Sequence, residues 1–285
     1  MLYQISCLSS TKRMTILDRI IAEKRVEVAQ RQATVSERVL ESYPLFNRGV
    51  NSAVASIRAT NSTGIIAEFK RKSPSKGLIN GMADVSATTQ GYVQAGAACL
   101  SVLTDEPFFG GTPTDLRAAR QANPTTPVLR KDFTVDAYQL LEAKAWGADL
   151  VLLIAACLTP EEIKYLSQFA HRLGLEVLLE VHDADELDRS LCDTVDLVGV
   201  NNRNLKTFET SVETSIQLVD QIPSSFVRVT ESGLQDAATM LRLREAGYEA
   251  FLIGEAFMKT TAPDVALAAL VGQLRAKQTS PLFNK

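Results

Sequence analysis

The stretch that decides the fold is KAWGADLVLLI, residues 144–154, in which a helical segment ends at a glycine and a short apolar run follows. The same arrangement occurs in VQAGAACLSVL (93–103), HRLGLEVLLEV (171–181) and REAGYEAFLIG (244–254). Each glycine is placed to end a helix in the left-handed conformation, and the four are Gly96, Gly147, Gly174 and Gly247. Short apolar runs of this kind are typical of strands buried on both faces. The pattern therefore predicts alternating helices and parallel strands.

Weaker copies of the pattern complete a set of eight. The predicted strands are 64–70, 99–104, 127–131, 150–154, 176–181, 197–201, 227–231 and 250–254. We predict an α/β fold, a single (β/α)8 TIM barrel over residues 64–277. An N-terminal helical extension over 15–63 precedes it, with a disordered tail at 1–14 and a C-terminal tail at 278–285. An open doubly wound sheet is the runner-up, but no G-x-G-x-x-G follows the first strand.

Helix starts agree with this division. TPEE at 159–162 supplies an N-cap threonine with Pro and Glu behind it, and Asp136, Asp183 and Asp236 are further predicted N-caps. The segment TILDRIIAEKRVEVAQRQ (15–32) is predicted to form an amphipathic helix. Two positions stay open for it, a lid over the N-terminal face of the barrel or a place near the substrate.

Composition argues against several classes of protein. A net charge of −3 and a pI near 5.6 indicate no basic surface for nucleic acid or membrane. No apolar run approaches the length of a membrane span, and the start has no signal-peptide core or cleavage site. The four cysteines are far apart, as expected of free thiols in the cytoplasm. With two histidines in the chain, a His-based zinc site is not expected.

Ionisable side chains stand where the predicted strands end, and in such barrels the active site lies at that face. Glu68 and Lys70 end the first strand, and residues two apart share a face, so we expect an ion pair at the mouth. Lys131, Glu180 and Glu231 end three other strands. Isolated, the first pair would be read as a structural salt bridge. The convergence of all five side chains on one end of the barrel favours an active site, because ionisable groups are costly to bury without partners.

Two loops are suited to contact an anion. Ser73 and Lys76 lie in the polar loop after the first strand. Gly233 and Gly254 follow the seventh and eighth strands, the usual phosphate site of such barrels, and let backbone N–H groups approach a ligand. We therefore predict a phosphate site at this rim.

Seven blocks together resemble indole-3-glycerol phosphate synthase of tryptophan biosynthesis. They are AEFKRKSPSKG (67–77), SVLTDEPFFGG (101–111), PVLRKDF (127–133), LEVLLEV (175–181), GVNNRNL (199–205), TESGL (230–234) and FLIGEAFM (251–258). The resemblance runs from about residue 16 to 270. It implies a carboxy-lyase that converts 1-(2-carboxyphenylamino)-1-deoxyribulose 5-phosphate to indole-3-glycerol phosphate, carbon dioxide and water. It implies no cofactor, no metal, and a small phosphorylated substrate as the partner of a monomer or weak homodimer.

The resemblance also implies a set of catalytic residues. Lys131 is the leading acid for ring closure, and Glu180 is the leading base. Lys70 acts as an acid in dehydration or contacts the substrate carboxylate, while Glu68 orients and tunes it. Asn201 hydrogen-bonds polar groups of the substrate.

Binding residues follow from the same blocks. Ser73, Gly233 and Gly254 would hold the phosphate. Ser232 and Glu231 would line the ribulose side of the site. Glu231 is also the last of the residues assigned to catalysis.

Four further predictions concern the walls of the site. Phe109 and Phe133 are candidates for an aromatic wall. Arg203 either contacts substrate or braces the mouth through a salt bridge. Glu255 departs from the family, in which serine often follows this glycine. A carboxylate repels a phosphate, so we expect the backbone N–H of Glu255 to bind while its side chain turns outward.

Three functions stay open on the residues. They are the synthase, another phosphosugar barrel enzyme such as phosphoribosylanthranilate isomerase, and a non-catalytic phosphometabolite-binding or assembly module. Only the first forms an indole. The charged set at the strand ends argues against the third, since a binder has no need of it.

Overall fold

A computed structural model describes residues 14–204 and 207–278. The predicted N-terminal tail lies outside these residues apart from Met14, and so does the C-terminal tail apart from Gln278, which ends the last helix instead. None of the helices in the described ranges is both long and apolar enough to span a membrane.

Eight parallel strands close a barrel within these residues, and the predicted TIM barrel is confirmed. Sequence neighbours pair, and the ring closes where Ile65 of the first strand lies opposite Phe251 of the last. The strands are β1 (Ile65–Phe69), β2 (Cys99–Leu103), β3 (Val128–Lys131), β4 (Leu150–Ile154), β5 (Glu176–Val181), β6 (Leu197–Asn201), β7 (Val227–Glu231) and β8 (Ala250–Ile253). Every predicted bound is right to within one residue.

Helices surround the barrel and precede it. In chain order they are α1 (Ile16–Thr34), α2 (Glu37–Glu41), α3 (Ala53–Arg58), α4 (Val85–Gln94), α5 (Glu106–Phe109), α6 (Pro113–Ala122), α7 (Tyr138–Trp146), α8 (Pro160–Arg172), α9 (Ala184–Ser190), α10 (Glu213–Leu218), α11 (Ala237–Ala246), α12 (Glu255–Met258) and α13 (Pro263–Gln278). A 3-10 turn at Val219–Gln221 follows α10, and a short hairpin pairs Lys72–Ser73 with Gly77–Leu78 after β1. Strands β1, β2 and β4 are buried along their whole length, as parallel strands covered by helices are.

The predicted helix ends are confirmed with one exception. The four glycines of the repeated pattern all have positive φ, and Thr159 forms a capping box with Glu162. Asp183 and Asp236 cap α9 and α11. Asp136 as N-cap is wrong by one residue: Ala137 holds that position, because the chain already has helical dihedral angles there. The Asp136 carboxylate still accepts the Tyr138 N–H at 2.8 Å.

The extension places helices at both ends of the barrel. Helix α3 lies against the N-terminal face, where Ala53 N donates to Glu176 Oε2 at 2.7 Å and Ser56 Oγ donates to the Ala98 carbonyl at 2.6 Å. Helix α1 lies at the opposite face, and its first turns line the cavity described below. The lid over the N-terminal face is therefore wrong for α1, because α3 holds that place and α1 pairs with carboxylates at the strand ends.

Candidate active site

A cavity of about 510 Å³ opens at the C-terminal ends of the strands. This volume is in the usual range of sites for small molecules. Every predicted site residue lines the cavity, although the residues are scattered over the sequence from β1 to α12. The barrel brings them together because all eight parallel strands end at this face.

Lys131 stands at the centre of the charged groups in the cavity. Its Nζ lies 2.7 Å from Glu231 Oε2 and 3.4 Å from Glu180 Oε2. Burial alone would lower the pKa of Lys131, but the carboxylates of Glu231, Glu180 and Glu68 outweigh it and raise the pKa well above the ordinary value. The amine is therefore an ammonium ion at neutral pH and holds a proton to donate.

The two carboxylates beside Lys131 are pushed in opposite directions. Burial, with Glu180 nearby, raises the pKa of Glu231 to about 8. Burial also acts against ionisation of Glu180, but Lys131 and His182 outweigh it and hold the pKa of Glu180 well below its usual range. The two carboxyl groups thus titrate as a pair, in which Glu180 favours the ionised form and Glu231 is the more readily protonated member. Neighbouring carboxylates with separated pKa values are the usual arrangement of an acid and a base in one site.

The ion pair predicted between Glu68 and Lys70 is present, with Lys70 Nζ 2.8 Å from Glu68 Oε1. Burial would raise the pKa of Glu68, but Lys70 and Lys131 together lower it. Gly254 packs directly on Glu68. A Cβ placed on Gly254 would lie 2.9 Å from the Glu68 Cβ, so no side chain fits there without moving Glu68.

The predicted phosphate rim contains a polar group with no partner among the described residues. Ser73 is only 6% exposed, yet its Oγ makes no hydrogen bond there. Across the cavity, Ser232 and Gly233 both have positive φ, and a Cβ on Gly233 would lie 2.8 Å from Thr210 Cγ2. Buried hydroxyls are nearly always satisfied, so the Ser73 hydroxyl is suited to a ligand.

Arg203 and Glu255 tie three loops together at the rim. Arg203 Nη1 donates to Ser75 Oγ at 2.8 Å, and Nη2 lies 3.5 Å from Glu255 Oε2. The other carboxylate oxygen of Glu255 is 3.9 Å from Lys76 Nζ. The Glu255 side chain thus does not simply turn outward: it pairs across the mouth with two cations. These contacts match the bracing alternative for Arg203.

The walls of the cavity are apolar on the side of α1. Phe109 and Phe133 are in contact, with ring centroids 5.9 Å apart. Ile16, Leu17 and Ile20 of α1 line the same cavity. Asn201 lies on the polar side, where its Nδ2 donates to Glu180 Oε1 at 3.1 Å. The cavity therefore offers an apolar region next to its charged centre.

Sequence reasoning missed His182 and Lys24. His182 Nε2 lies 3.3 Å from Glu180 Oε1, and Nδ1 lies 3.1 Å from Glu186 Oε2. Burial would lower the pKa of His182, but these two carboxylates raise it to about 10. The signal was available, because His182 follows Glu180 by two residues. Lys24 carried no such signal, since it stands among other charges in α1. Within the described ranges, no group of His, Cys, Asp and Glu side chains is arranged to hold a metal ion.

Comparison with known proteins agrees with this geometry. The profile of the indole-3-glycerol phosphate synthase family matches residues 17–270. The chain belongs to this family. Indole-3-glycerol phosphate synthase of Bacteroides thetaiotaomicron is 50% identical over 254 residues, which cover 87% of this chain and 94% of that protein. The family member from Burkholderia vietnamiensis is 48% identical over 260 residues, covering 90% and 98%.

Solved structures with the same fold include proteins of low sequence identity to this chain. A 3-hexulose-6-phosphate synthase from Salmonella typhimurium superposes with a TM-score of 0.59 at 13% identity, covering 75% of this chain and 99% of that one. A structure of KGPDC from Streptococcus mutans gives a TM-score of 0.58 at 15% identity, covering 74% and 97%. At this identity the likeness extends to the barrel fold alone.

Proposed function

We propose that this chain is an indole-3-glycerol phosphate synthase of tryptophan biosynthesis. It closes the ring of 1-(2-carboxyphenylamino)-1-deoxyribulose 5-phosphate and releases carbon dioxide and water. The observation that carries the proposal is the Lys131 ammonium, held 2.7 Å from Glu231 and 3.4 Å from Glu180 inside the cavity of a family member. This cluster combines a charged acid with an ionised carboxylate.

Ring closure needs a proton on the sugar carbonyl. The aromatic carbon that bears the carboxylate attacks this carbonyl, and the oxygen must be protonated as the new bond forms. Lys131 donates that proton, which its raised pKa keeps in place at neutral pH. The ring carbon then loses carbon dioxide, and the bonding electrons return to the cationic ring, so no external electron acceptor is needed.

Dehydration needs an acid at the hydroxyl and a base for the ring proton. Glu180 is the base, because its lowered pKa keeps it ionised. Lys70 supplies the proton for the leaving hydroxyl or contacts the substrate carboxylate, with Glu68 holding its amine at 2.8 Å. Glu231 carries a proton near neutral pH and takes part as a hydrogen-bond donor on the ribulose side.

The two ends of the substrate differ in polarity, and so do the two sides of the cavity. The phosphate is assigned to the rim with Ser73, Gly233 and Gly254, where the Ser73 hydroxyl is unpaired among the described residues. The aromatic ring of the substrate is assigned to the wall of Phe109 and Phe133. This proposed orientation leaves the charged centre around Lys131 for the sugar carbonyl, which lies between the two ends of the substrate.

The test is a product assay. Purified protein is incubated with the carboxyphenylamino-deoxyribulose phosphate, and indole absorbance and fluorescence are followed. Lys164→Ala, at an exposed lysine of α8, serves as the matched control for a Lys131→Ala variant. We expect indole from the parent and the control alone. A parent protein that forms no indole contradicts the proposal, and turnover of phosphoribosylanthranilate by that protein would identify an isomerase.

Two finer properties belong to the same proposal. We infer a cytoplasmic location, which the free thiols of Cys99, Cys157 and Cys192 support. A monomer or weak homodimer is supported by the cavity, since one chain supplies all of the assigned residues. Light scattering across a range of protein concentrations tests the second property, and a stable larger assembly would contradict it.

A further inference from the structure

Behind the cavity wall, charged side chains of alternating sign form a closed ring. The ring joins α1 to β3 and α7, and it consists of Lys24, Asp132, Arg130, Glu142, Arg31 and Glu27. Lys24 Nζ and Arg130 Nη2 each lie 2.9 Å from a different oxygen of Asp132. Arg130 Nη2 also lies 3.2 Å from Glu142 Oε2.

The return path runs through α1. Arg31 Nε lies 2.8 Å from Glu142 Oε1, Arg31 pairs with Glu27, and Lys24 Nζ lies 2.7 Å from Glu27 Oε2. Lys24 is the most connected member, because its Nζ also lies 3.1 Å from Asp105 Oδ2. With 1% of its surface exposed, it is a buried lysine facing three carboxylates.

The ring holds both neighbours of Lys131. Arg130 is buried on the outer side of the barrel, Lys131 points into the cavity, and the buried Asp132 lies at the edge of that cavity. Asp132 also accepts the Phe133 N–H at 2.8 Å and the Thr104 hydroxyl at 2.7 Å. The backbone that presents Lys131 is therefore fixed from α1, β2 and α7 together.

A second branch leads to the aromatic wall. Asp105 precedes α5, and its Oδ1 accepts the Phe108 N–H at 2.9 Å. Phe109, at the end of the same short helix, lines the cavity. One ammonium group thus connects the loop that carries the assigned acid with the loop that carries an aromatic wall residue.

Stability alone does not account for such a ring. Buried ion pairs gain little net free energy of folding, and apolar side chains of similar size often serve as well. What an ion-pair ring adds is a fixed geometry, and a misplacement of about 1 Å lowers turnover by up to about 10²-fold. Burial would lower the pKa of Lys24, but Asp132 and Asp105 outweigh it and raise the pKa, so the ring keeps its charge at neutral pH.

We infer that Lys24 is a positioning residue of the active site: it locks α1 onto Asp132 and Asp105 and thereby sets the place of the Lys131 amine and of Phe109. This inference rests on the proposed synthase reaction. Helix α1 then contributes to catalysis through Lys24, a residue that never touches substrate.

The test compares neighbouring residues of α1. Lys24→Met removes the ammonium group and keeps much of its volume, whereas Arg25→Met changes an exposed side chain whose nearest carboxylate, on Glu162, is 4.0 Å away. We expect Lys24→Met to lower kcat by about 10–100-fold with a smaller change in KM. We expect Arg25→Met to leave both unchanged.

A double variant separates the effect of Lys24 on the position of the site residues from its effect on the stability of the protein. Lys24→Met leaves the buried carboxylates of Asp105 and Asp132 without the lysine cation that they share. Asp105→Asn removes one of these two negative charges. We expect Lys24→Met/Asp105→Asn to regain thermal stability while kcat stays low, because α1 remains detached from Asp132. Recovery of kcat in step with Tm would overturn the inference and leave Lys24 a structural residue.

A charge-preserving variant covers the case in which Lys24→Met does not fold. Lys24→Arg keeps the ring charged, but a planar guanidinium cannot face three carboxylates in the same geometry. We expect a folded protein with kcat lowered several-fold. Parent kcat in a folded Lys24→Met or Lys24→Arg variant would refute the positioning role, while a parent protein that makes no indole would instead refute the proposed function.

Discussion

The two faces of the barrel use buried charge in different ways. At the N-terminal face, Asp149 is saturated: Oδ1 accepts from Arg48 Nη2 and the Asn51 N–H, each at 2.7 Å, and Oδ2 accepts from Arg120 Nη2 at 2.6 Å and the Val128 N–H at 2.8 Å. At the mouth, buried polar atoms are left open. Glu231 Oε1 and Ser73 Oγ make no hydrogen bond to the described residues.

This difference separates a structural network from a candidate site. A saturated network has no capacity for a ligand, and removing one member leaves another group buried and unpaired. An unsaturated network costs folding free energy, so its survival indicates that something else satisfies it. Charge alone does not distinguish the faces, whereas the hydrogen bonds of their carboxylates do: each oxygen of Asp149 accepts two, and Glu231 Oε1 accepts none from the described residues.

The largest expected effect is at the mouth. Lys131→Ala should lower kcat by about 10²–10⁴-fold, the usual range for loss of a general acid. Thermal stability should fall as well, because Glu180 and Glu231 lose the cation between them, so kcat is measured well below the Tm of the variant. Steady-state kinetics and thermal melts check both statements. A variant with near-parent kcat would remove Lys131 as the acid.

At the N-terminal face we expect a loss of stability without a loss of turnover. Asp149→Ala leaves Arg120 buried without its carboxylate, and breaking a buried pair in this way costs about 3–5 kcal/mol of unfolding free energy. Below its lowered Tm, the variant should keep parent kcat. Denaturant unfolding and kinetics well below that Tm measure the two, with the exposed Asp193→Ala as control. A variant with normal stability and low kcat would break the comparison between the faces.

A smaller effect is expected at the phosphate rim. Ser73→Ala removes the unpaired hydroxyl, so KM and the inhibition constant of inorganic phosphate should both rise by roughly 2–10-fold, the worth of one hydrogen bond. Parent kcat should be kept. Ser73 is a sharper probe than Gly254, because any side chain at Gly254 also displaces Glu68. If neither constant changes, the phosphate lies elsewhere.

The smallest effect concerns pH. Glu231 has its pKa raised from 4.5 to about 8, so the folded protein holds a proton there that the unfolded chain has lost. The stability from this group is present below pH 4.5 and is lost as pH rises to 8. Glu231→Gln cannot titrate, so its Tm advantage over the parent should grow across that range.

Glu180→Gln provides the matched comparison. The pKa of Glu180 is lowered, so its ionised form contributes stability above pH 4.5 that is lost as pH falls below it. This variant should therefore have a lower Tm than the parent at neutral pH. Thermal melts from acidic to mildly alkaline pH measure both variants, and shifts of the same sign would contradict the assigned protonation states.

The strands could be predicted closely because four of them are buried apolar runs that begin soon after a helix-ending glycine, and the other four are weaker copies of that pattern at similar spacing. The charged site at the mouth of the barrel could be predicted from the same apolar runs, since polar residues such as Lys131 and Glu180 interrupt them at their C-terminal ends. The function was reached through the family resemblance. The assigned roles of the site residues remain predictions.

The place of α1 could not be predicted from its sequence pattern. Lys24 lies in a helix with many charged residues, where a lysine is normally solvated, and its burial depends on Asp105 and Asp132 from distant strands. His182 was missed for another reason, because its partners Glu180 and Glu186 are close in the sequence and the signal was available there. Pairings between distant charges are set by tertiary packing, and local patterns carry no record of them.

The contact between Glu68 and Gly254 has a consequence for the order in which the protein is made. Glu68 stands at the end of the first barrel strand, and Gly254 follows the last. A chain emerging from the ribosome exposes Glu68 and Lys70 early, but the surface that Gly254 provides for them arrives only when nearly the whole protein has been synthesised. A fragment that ends before β8 therefore has Glu68, Lys70, Lys131, Glu180 and Glu231 but lacks the last strand and Gly254, which complete the site.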